Sequence, residues 1–433
     1  MSLPITIPYT FANATTSIPL SQLDSDFTTV VNAINGIGNG TNSLSNATIV
    51  ATGSNTARTL AARSAQVVNV KDFGALGTNV SSNDDGPAIQ AAYNYLVSIG
   101  GGTLFFPAGT YYTTQTLVFS SSNIPTHIQG VDMYAVTIIL NSSSSIPVFN
   151  LSTSTYDGSY FFVENIGITT AGSGANLAGN TGFVVSNRGF TSFFRVSILY
   201  TYVGMNFVNS FAPRINQCLI VNTSSSGIYS NDLSFNNAIV RDCGFFGNGI
   251  TAANGAAISI VGPASTEAMV IQGNDMEGNY IAILIENTTS LSILGNYIES
   301  STSTNFYIYT PNYSMTIEGN WFGASPTSVI QNVTGLRFQN NTIYNTTINV
   351  DVGNTALDTI VAGNKLLGTG SLSPAQCAIS DFQSTIRGVR FPNMTTTQKN
   401  AISSPLAGLV VFDTTLSKLC IYTGSAWQTI TSA

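Results

Sequence analysis

Charge is scarce in this chain. Only 8 % of its 433 residues are Asp, Glu, Lys or Arg, and His127 is the single histidine. The net charge of −7 excludes the basic surface that a nucleic-acid binder needs. Four cysteines (Cys218, Cys243, Cys377 and Cys420) are too few to staple a chain of this length. No apolar run approaches the length of a membrane helix, so membrane insertion is not expected. The start, Met1-Ser-Leu-Pro-Ile-Thr-Ile-Pro8, lacks the basic onset and apolar stretch of a secretion signal. These absences predict a soluble protein that carries no export signal of its own. Disorder is excluded, because 43 % of the residues are apolar.

Ser, Thr, Asn and Gly take the place of charge, and from Val270 onward they recur with a period. Ile271-Gln-Gly-Asn274, Ile293-Leu-Gly-Asn296, Ile317-Glu-Gly-Asn320, Phe338-Gln-Asn-Asn341 and Val361-Ala-Gly-Asn364 are versions of one phrase. The asparagines stand 22, 24, 21 and 23 residues apart. Such a period marks a solenoid, and the β-branched, strand-like units make it a β solenoid. Stacked amides bond to one another where stacked like charges repel. The expected fold is therefore all-β, a right-handed single-stranded parallel β-helix. Upstream, Val240-Arg-Asp-Cys243 and Ile215-Asn-Gln-Cys218 fit the phrase, and Phe194-Arg-Val-Ser197 and Val163-Glu-Asn-Ile166 fit it loosely. Nine coils at about 4.8 Å each give a rod of about 40 Å.

Side chains alternate along a strand, so the phrase assigns faces. Ile271, Ile293, Ile317, Phe338 and Val361 should point inward, as should Met276, Ile298, Phe322, Ile343 and Leu366 two places past each asparagine. The first and third places after it must face out. Cys218 and Cys243 share the asparagine position and should stack as free thiols.

Both ends differ from the rod. Residues 1–66 read as a separate module with a connector. Within it Leu23, Phe27, Val30, Val31 and Ile34 form a helical stripe behind Ser21 as N-cap, ended by Gly36-Ile-Gly-Asn-Gly40. Residues 67–378 read as the capped β-helix. Its cap is a helix opened by Asp84 or Asp85 and Pro87, with Ile89, Tyr93 and Leu96 on one face. Residues 379–433 read as a short helix and a three-stranded meander, too small to be stable alone.

Three stretches carry a resemblance. Val68-Asn-Val-Lys-Asp-Phe-Gly-Ala-Leu-Gly77, Asp84-Asp-Gly-Pro-Ala-Ile-Gln-Ala-Ala92 and Gly100-Gly-Gly-Thr-Leu-Phe-Phe-Pro-Ala-Gly-Thr-Tyr111 together resemble the opening segment of pectate-lyase-like β-helices. Tyr9-Thr-Phe-Ala12 with Pro19-Leu-Ser-Gln-Leu-Asp-Ser-Asp-Phe27 is similar to the virion-attachment head of phage tail proteins. Arg390-Phe-Pro-Asn-Met-Thr-Thr-Thr-Gln398, Gly408-Leu-Val-Val-Phe-Asp-Thr-Thr415 and Gly424-Ser-Ala-Trp427 resemble a tail-protein terminal module. The resemblance to tailspike and tail-fibre proteins implies a homotrimer that is made in the host cytoplasm. It would be held on the virion tail or its adaptor proteins by its N-terminus, and would bind a host surface glycan. It implies no cofactor and no metal, and it supplies no catalytic residues. The paired-aspartate and His-Gly signatures of polygalacturonase-like hydrolases are absent.

The outward positions hold one constellation. Asp275 and Glu277 share a strand, Tyr297 and Glu299 follow on the next coil, and Trp321 on the one after. Asp275 and Glu277 should lie about 6.7 Å apart at Cα, and Glu277 and Glu299 about 4.8 Å. These separations bracket those of paired glycosidase carboxylates, and crowding should raise at least one pKa. Tyr297 and Trp321 offer flat faces to sugar rings. Asp275, Glu277 and Glu299 are thus candidate catalytic residues of an endo-acting polysaccharide depolymerase, hydrolase or lyase. Sugar binding without catalysis is the second possibility. Solvated groups, a cation site or contacts along a trimer axis are the third. His127 and the Asp84-Asp85 pair are expected to be structural.

Overall fold

The residue before each repeat asparagine sets a corner. Gly273, Gly295, Gly319 and Gly363 have φ of 64, 59, 68 and 65°, and Asn340, which stands in for glycine in one coil, has 56°. Only Gly, and after it Asn, adopts this left-handed conformation at little cost. One short strand runs into the corner and another leaves it, as in Ser292–Leu294 and Tyr297–Glu299. A longer third strand, such as Thr304–Tyr309, closes the coil.

The computed structural model describes residues 17, 19–38, 48–65, 67–171, 179–232, 235–250, 255–262, 266–309, 311–351, 359–373, 380–383 and 390–431. Within them the coils stack into three long sheets of 13, 11 and 11 strands. Every pairing within these sheets is parallel except Thr359–Ala362 with Ser380–Gln383. The architecture is a parallel β-helix. Its two 11-stranded sheets define eleven coils and a rod of about 50 Å. The two coils beyond the expected nine are the first two, built on Gly102–Phe106 and Thr126–Gly130. Their corners lack the repeat phrase, so periodicity alone did not reach them.

Register corrects one coil. Phe193, not Phe194, pairs with Ile215 and Val163, so the corner residue is Val196 rather than Ser197. Two adjacent phenylalanines offer two apolar choices for one inward position, and spacing alone took the wrong one. All the expected inward residues are buried except Leu366, which is 49 % exposed. Leu366 lies on Lys365–Leu367, the last strand of the second sheet, so it has no further coil of that sheet to pack against.

The asparagines form a continuous ladder. The Oδ1 of Asn296, Asn320, Asn341 and Asn364 each accepts from the backbone N–H and the Nδ2 of the asparagine below, at 2.9–3.1 Å. Each Nδ2 also donates to a carbonyl of the preceding coil, for Asn296 that of Ile271 at 3.0 Å. Cys243 N–H donates to Asn274 Oδ1 at 3.0 Å, and Cys218 N–H lies 3.4 Å from Cys243 Sγ. Both thiols are free and buried. Cys377 lies outside the described residues.

The cap helix Gly86–Ser98 buries Ile89, Ala92, Tyr93 and Leu96 against the first coil. Asp84 Oδ1 accepts from Gly86 N–H at 3.0 Å, and Asp85 Oδ1 from Leu76 N–H at 2.6 Å. Both carboxylates are occupied structurally. A buried Arg188–Asp157 ion pair of 3.0 Å ties down the corner beyond the cap. His127 Nε2 lies 3.1 Å from Glu164 Oε1 on the next coil.

The N-terminal helix, Leu20–Gly38, begins one residue before Ser21, which therefore lies inside it rather than capping it. Leu20, Leu23, Phe27, Val31 and Ile34 are exposed. The stretch read as connector contains a hairpin, Thr48–Val50 with Ala57–Thr59, and a short helix, Leu60–Ser64. Tyr9-Thr-Phe-Ala12 lies outside the described residues. The C-terminal sheet adds Asn393–Met394 to the expected meander of Val410–Asp413, Lys418–Tyr422 and Trp427–Thr429. Thr395 and Gln398 form a capping box on Thr396–Asn400. Lys399 and Asp413, both almost fully buried, pair at 2.8 Å beneath that sheet.

Candidate functional site: two faces of one rod

The second sheet carries the five residues singled out above, and the fold brings them together. Asp275 pairs with Tyr297 and Glu277 with Glu299, and Tyr297 pairs in turn with Trp321. The Tyr297 and Trp321 rings stack at 6.2 Å and 10°, and Tyr344 extends the row at 5.6 Å from Trp321. Tyr297 Oη bonds to Glu299 Oε2. That bond, burial and the neighbouring carboxylates push the tyrosine up to about 12. Burial raises the Glu277 carboxyl, and Asp275 and Glu299 raise it further. Burial also raises Asp275. Crowding therefore contributes, but desolvation comes first. Gly323 follows Glu299 in register, where a Cβ would meet Glu299 Oε1 at 2.8 Å and Trp321 Nε1 at 2.9 Å. Its missing side chain leaves a notch beside both groups. Among the described residues no three His, Cys, Asp or Glu side chains converge as a metal site requires, these carboxylates included.

The third sheet carries a groove of about 900 Å³ that none of those five residues lines. Its walls include Tyr202, Tyr229, Tyr309, Leu284, Asn231 and Glu286. Alternation again explains why these side chains face out. Ile228, Ile258, Ile283 and Phe306 lie in register inside the rod. Their strand neighbours Tyr229, Ser259, Leu284 and Tyr307 must therefore point away from it. Glu286 stands two residues past Leu284 and pairs with Tyr309. Ala256, Ile281 and Leu284 form a small apolar cluster on this outer surface with Tyr307 and Tyr309, whose rings lie 4.6 Å apart. Burial raises the Glu286 carboxyl. Tyr229 is raised by burial, lowered by its bond to Asn231 and raised again by Glu286. Polar and aromatic groups thus converge over an apolar floor, as in a ligand cleft.

The sequence held a signal for this face that the asparagine phrase does not reach. Gly227-Ile-Tyr-Ser-Asn231, Ala257-Ile-Ser-Ile-Val261, Ala282-Ile-Leu-Ile-Glu286 and Asn305-Phe-Tyr-Ile-Tyr309 repeat a pattern of small, inward, outward, inward, outward. Aligning third strands rather than corners places Tyr229, Asn231, Glu286 and Tyr309 on one surface.

Comparison with known proteins bears on the rod and the C-terminal end. Residues 67–302, more than half of the chain, match the family "Rhamnogalacturonase A/epimerase, pectate lyase-like". Residues 368–433 match "Phage tail like trimerisation region". The mannuronan C5-epimerase AlgE3 of Azotobacter vinelandii is 54 % identical over 52 residues, 12 % of this chain and 3 % of the epimerase. The chain thus spans only a few per cent of the curated relatives that it matches. Among solved structures, DFA-IIIase from Arthrobacter chlorophenolicus A6 has a TM-score of 0.50 at 12 % identity, covering 72 % of this chain and 87 % of that one. Bacteriophage CBA120 tailspike protein 3 has a TM-score of 0.46 at 14 % identity, covering 96 % and 76 %. The chain carries a phage-tail-like trimerisation region behind its β-helix, and it belongs to the rhamnogalacturonase A/epimerase, pectate lyase-like family.

Proposed function

We propose that three copies of this chain form a spike on a phage tail, whose β-helix recognises a host surface polysaccharide during adsorption. In this reading residues 1–66 attach the spike to the virion tail or an adaptor protein, 67–378 form the recognition rod, and 379–433 hold the trimer. The observation that carries it is the groove. Tyr202, Ser225, Ser259, Glu286 and Tyr309 lie on five successive coils, a span of about 20 Å that suits several sugar units of a polymer. Tyrosine rings pack on the apolar faces of sugars, while amides and hydroxyls bond to their hydroxyl groups.

The trimer is supported at both ends. The loops and end around the C-terminal sheet leave Leu406, Leu416 and Ile430 exposed at 80, 45 and 50 %, surface that copies of the chain would cover. At the other end Leu20, Leu23, Phe27, Val30 and Ile34 recur at alternating spacings of three and four, the seam spacing of a coiled coil. Three weak sites on one rigid rod act at high effective concentration. Assembly in the host cytoplasm is consistent with unpaired thiols at Cys218 and Cys243.

The test is binding of purified protein to the capsular or O-antigen polysaccharide of its host. Tyr229→Ala should weaken binding at least about tenfold, in the range of a lost aromatic contact. Full affinity in that variant would remove the groove from the reading.

One observation favours a second reading, in which the spike also cleaves its glycan. Glu277, an exposed carboxyl raised by desolvation and by Asp275 and Glu299, stands in register with Glu299 and beside Asp275. This is the pairing of a proton-donating carboxyl with a second carboxylate that glycoside hydrolysis needs. Tyr297 and Trp321 would hold the sugar there. In that case the wild type shortens the polysaccharide and Glu277→Gln does not. Equal cleavage by both would place the chemistry elsewhere, and intact glycan that co-elutes with the protein leaves a spike that binds without cutting.

A further inference from the structure

We infer that the groove on the third sheet takes an uncharged polysaccharide and rejects chains bearing uronate, sialate or phosphate groups. The inference rests on reading that groove as the saccharide site. Among the described residues that line it, Glu286 alone is charged, and none is Lys or Arg. Recognition of a carboxylate or phosphate along a polymer ordinarily relies on such cations, most often the planar fork of arginine. Here the polar lining is made of groups that bond to neutral hydroxyls: Asn231, Asn287, Ser225, Ser226 and Ser259.

The surrounding charge points the same way. Between Thr191 and Tyr309, the five coils that the groove crosses, there are three cations and seven carboxylates. Arg214 and Arg241 lie on strands of the first sheet, and Arg195 is at its corner, paired with Asp132 at 2.8 Å. None of the three lines the groove. Asp232 adds a carboxylate immediately after Asn231, where Oδ2 accepts from Asn209 N–H at 2.9 Å. A polyanion laid along this face would bring its charges to Glu286 with nothing to offset them. Burial has already raised the Glu286 carboxyl, which is the behaviour of a site poorly suited to further negative charge.

The experiment presents the full-length protein to an immobilised panel of bacterial capsule and O-antigen oligosaccharides. The panel contains both neutral repeats and repeats carrying uronate, sialate or phosphate. Wild type, Tyr229→Ala and Glu286→Gln are compared at physiological ionic strength. The expected result is binding confined to neutral repeats and lost in Tyr229→Ala. Matched acidic repeats should bind about tenfold or more weakly, and Glu286→Gln should narrow that gap. Acidic repeats bound by the wild type and lost in Tyr229→Ala would overturn the inference while keeping the groove. Binding that Tyr229→Ala leaves untouched, or no binding at all, would instead overturn the groove as the saccharide site and the inference with it.

Discussion

The corner that holds asparagine in the last five coils holds Ile166, Val196, Cys218 and Cys243 in the four before them, and all of these side chains but that of Asn364 are buried. One position in one fold is thus filled in two ways. In the early coils cohesion comes from packing, seen in the run of rings Phe119–Phe149–Phe183–Phe193 at 5.4, 5.1 and 4.9 Å. In the late coils the corner is polar, and from Asn274 to Asn341 each amide donates both to the asparagine of the next coil and to a carbonyl of the preceding one. An apolar corner accepts any side chain of suitable volume. A polar corner accepts one residue type, because a buried amide without its partner costs free energy.

This contrast can be broken most severely at Asn296. Asn296→Ala removes the acceptor of Asn274 N–H and Nδ2 and the donor to Asn320 Oδ1 and Ile271 O, and should cost about 3–4 kcal/mol. Cys243→Val, at the same position in an early coil, should cost about 1 kcal/mol. Denaturant midpoints of the two variants measure the difference, and equal costs would remove the distinction between the two kinds of corner.

A smaller effect separates backbone from side chain. A Cβ at Gly295 would touch nothing, and its φ is 59°. Gly295→Ala should therefore cost only the left-handed strain, about 1–2 kcal/mol. Gly295→Asn should cost less, since Asn340 already holds that place in one coil. Thermal unfolding of the pair checks the order.

The narrowest effect concerns the C-terminal module. Burial alone would push the Asp413 carboxyl up, but Lys399, Thr396 and the N–H groups of Leu416 and Thr415 outweigh it and hold it at about 2. A carboxyl depressed by folding contributes stability above its unfolded pKa and loses it as pH falls through its folded value. Its contribution should thus be intact above about pH 4 and vanish toward pH 2. Lys399→Met should move the acid transition of this module upward, measured by Trp427 fluorescence between pH 5 and 2.

The same contrast explains how much of the fold was legible in the sequence. The five asparagine coils, their inward residues and the strip of Asp275, Glu277, Tyr297, Glu299 and Trp321 could be placed because the ladder fixes residue identity every turn. Phe193 and Phe194 could not be told apart, since packing constrains volume more than identity. The groove was missed for a related reason. Its outward residues Tyr229, Ser259 and Leu284 share a register but no side-chain chemistry. Crowding was expected to raise at least one carboxyl of the strip, and at Glu277 desolvation precedes the neighbouring carboxylates as the cause.

A hydrogen–deuterium exchange footprint of the protein with its bound host polysaccharide decides which face of the rod takes the glycan. Protection is expected in the third strands, over residues 225–231, 259–262 and 284–287, with the asparagine corners unchanged. Protection confined to residues 275–277, 297–299 and 321–323 on the second sheet, or found on neither face, would contradict the groove as the glycan site.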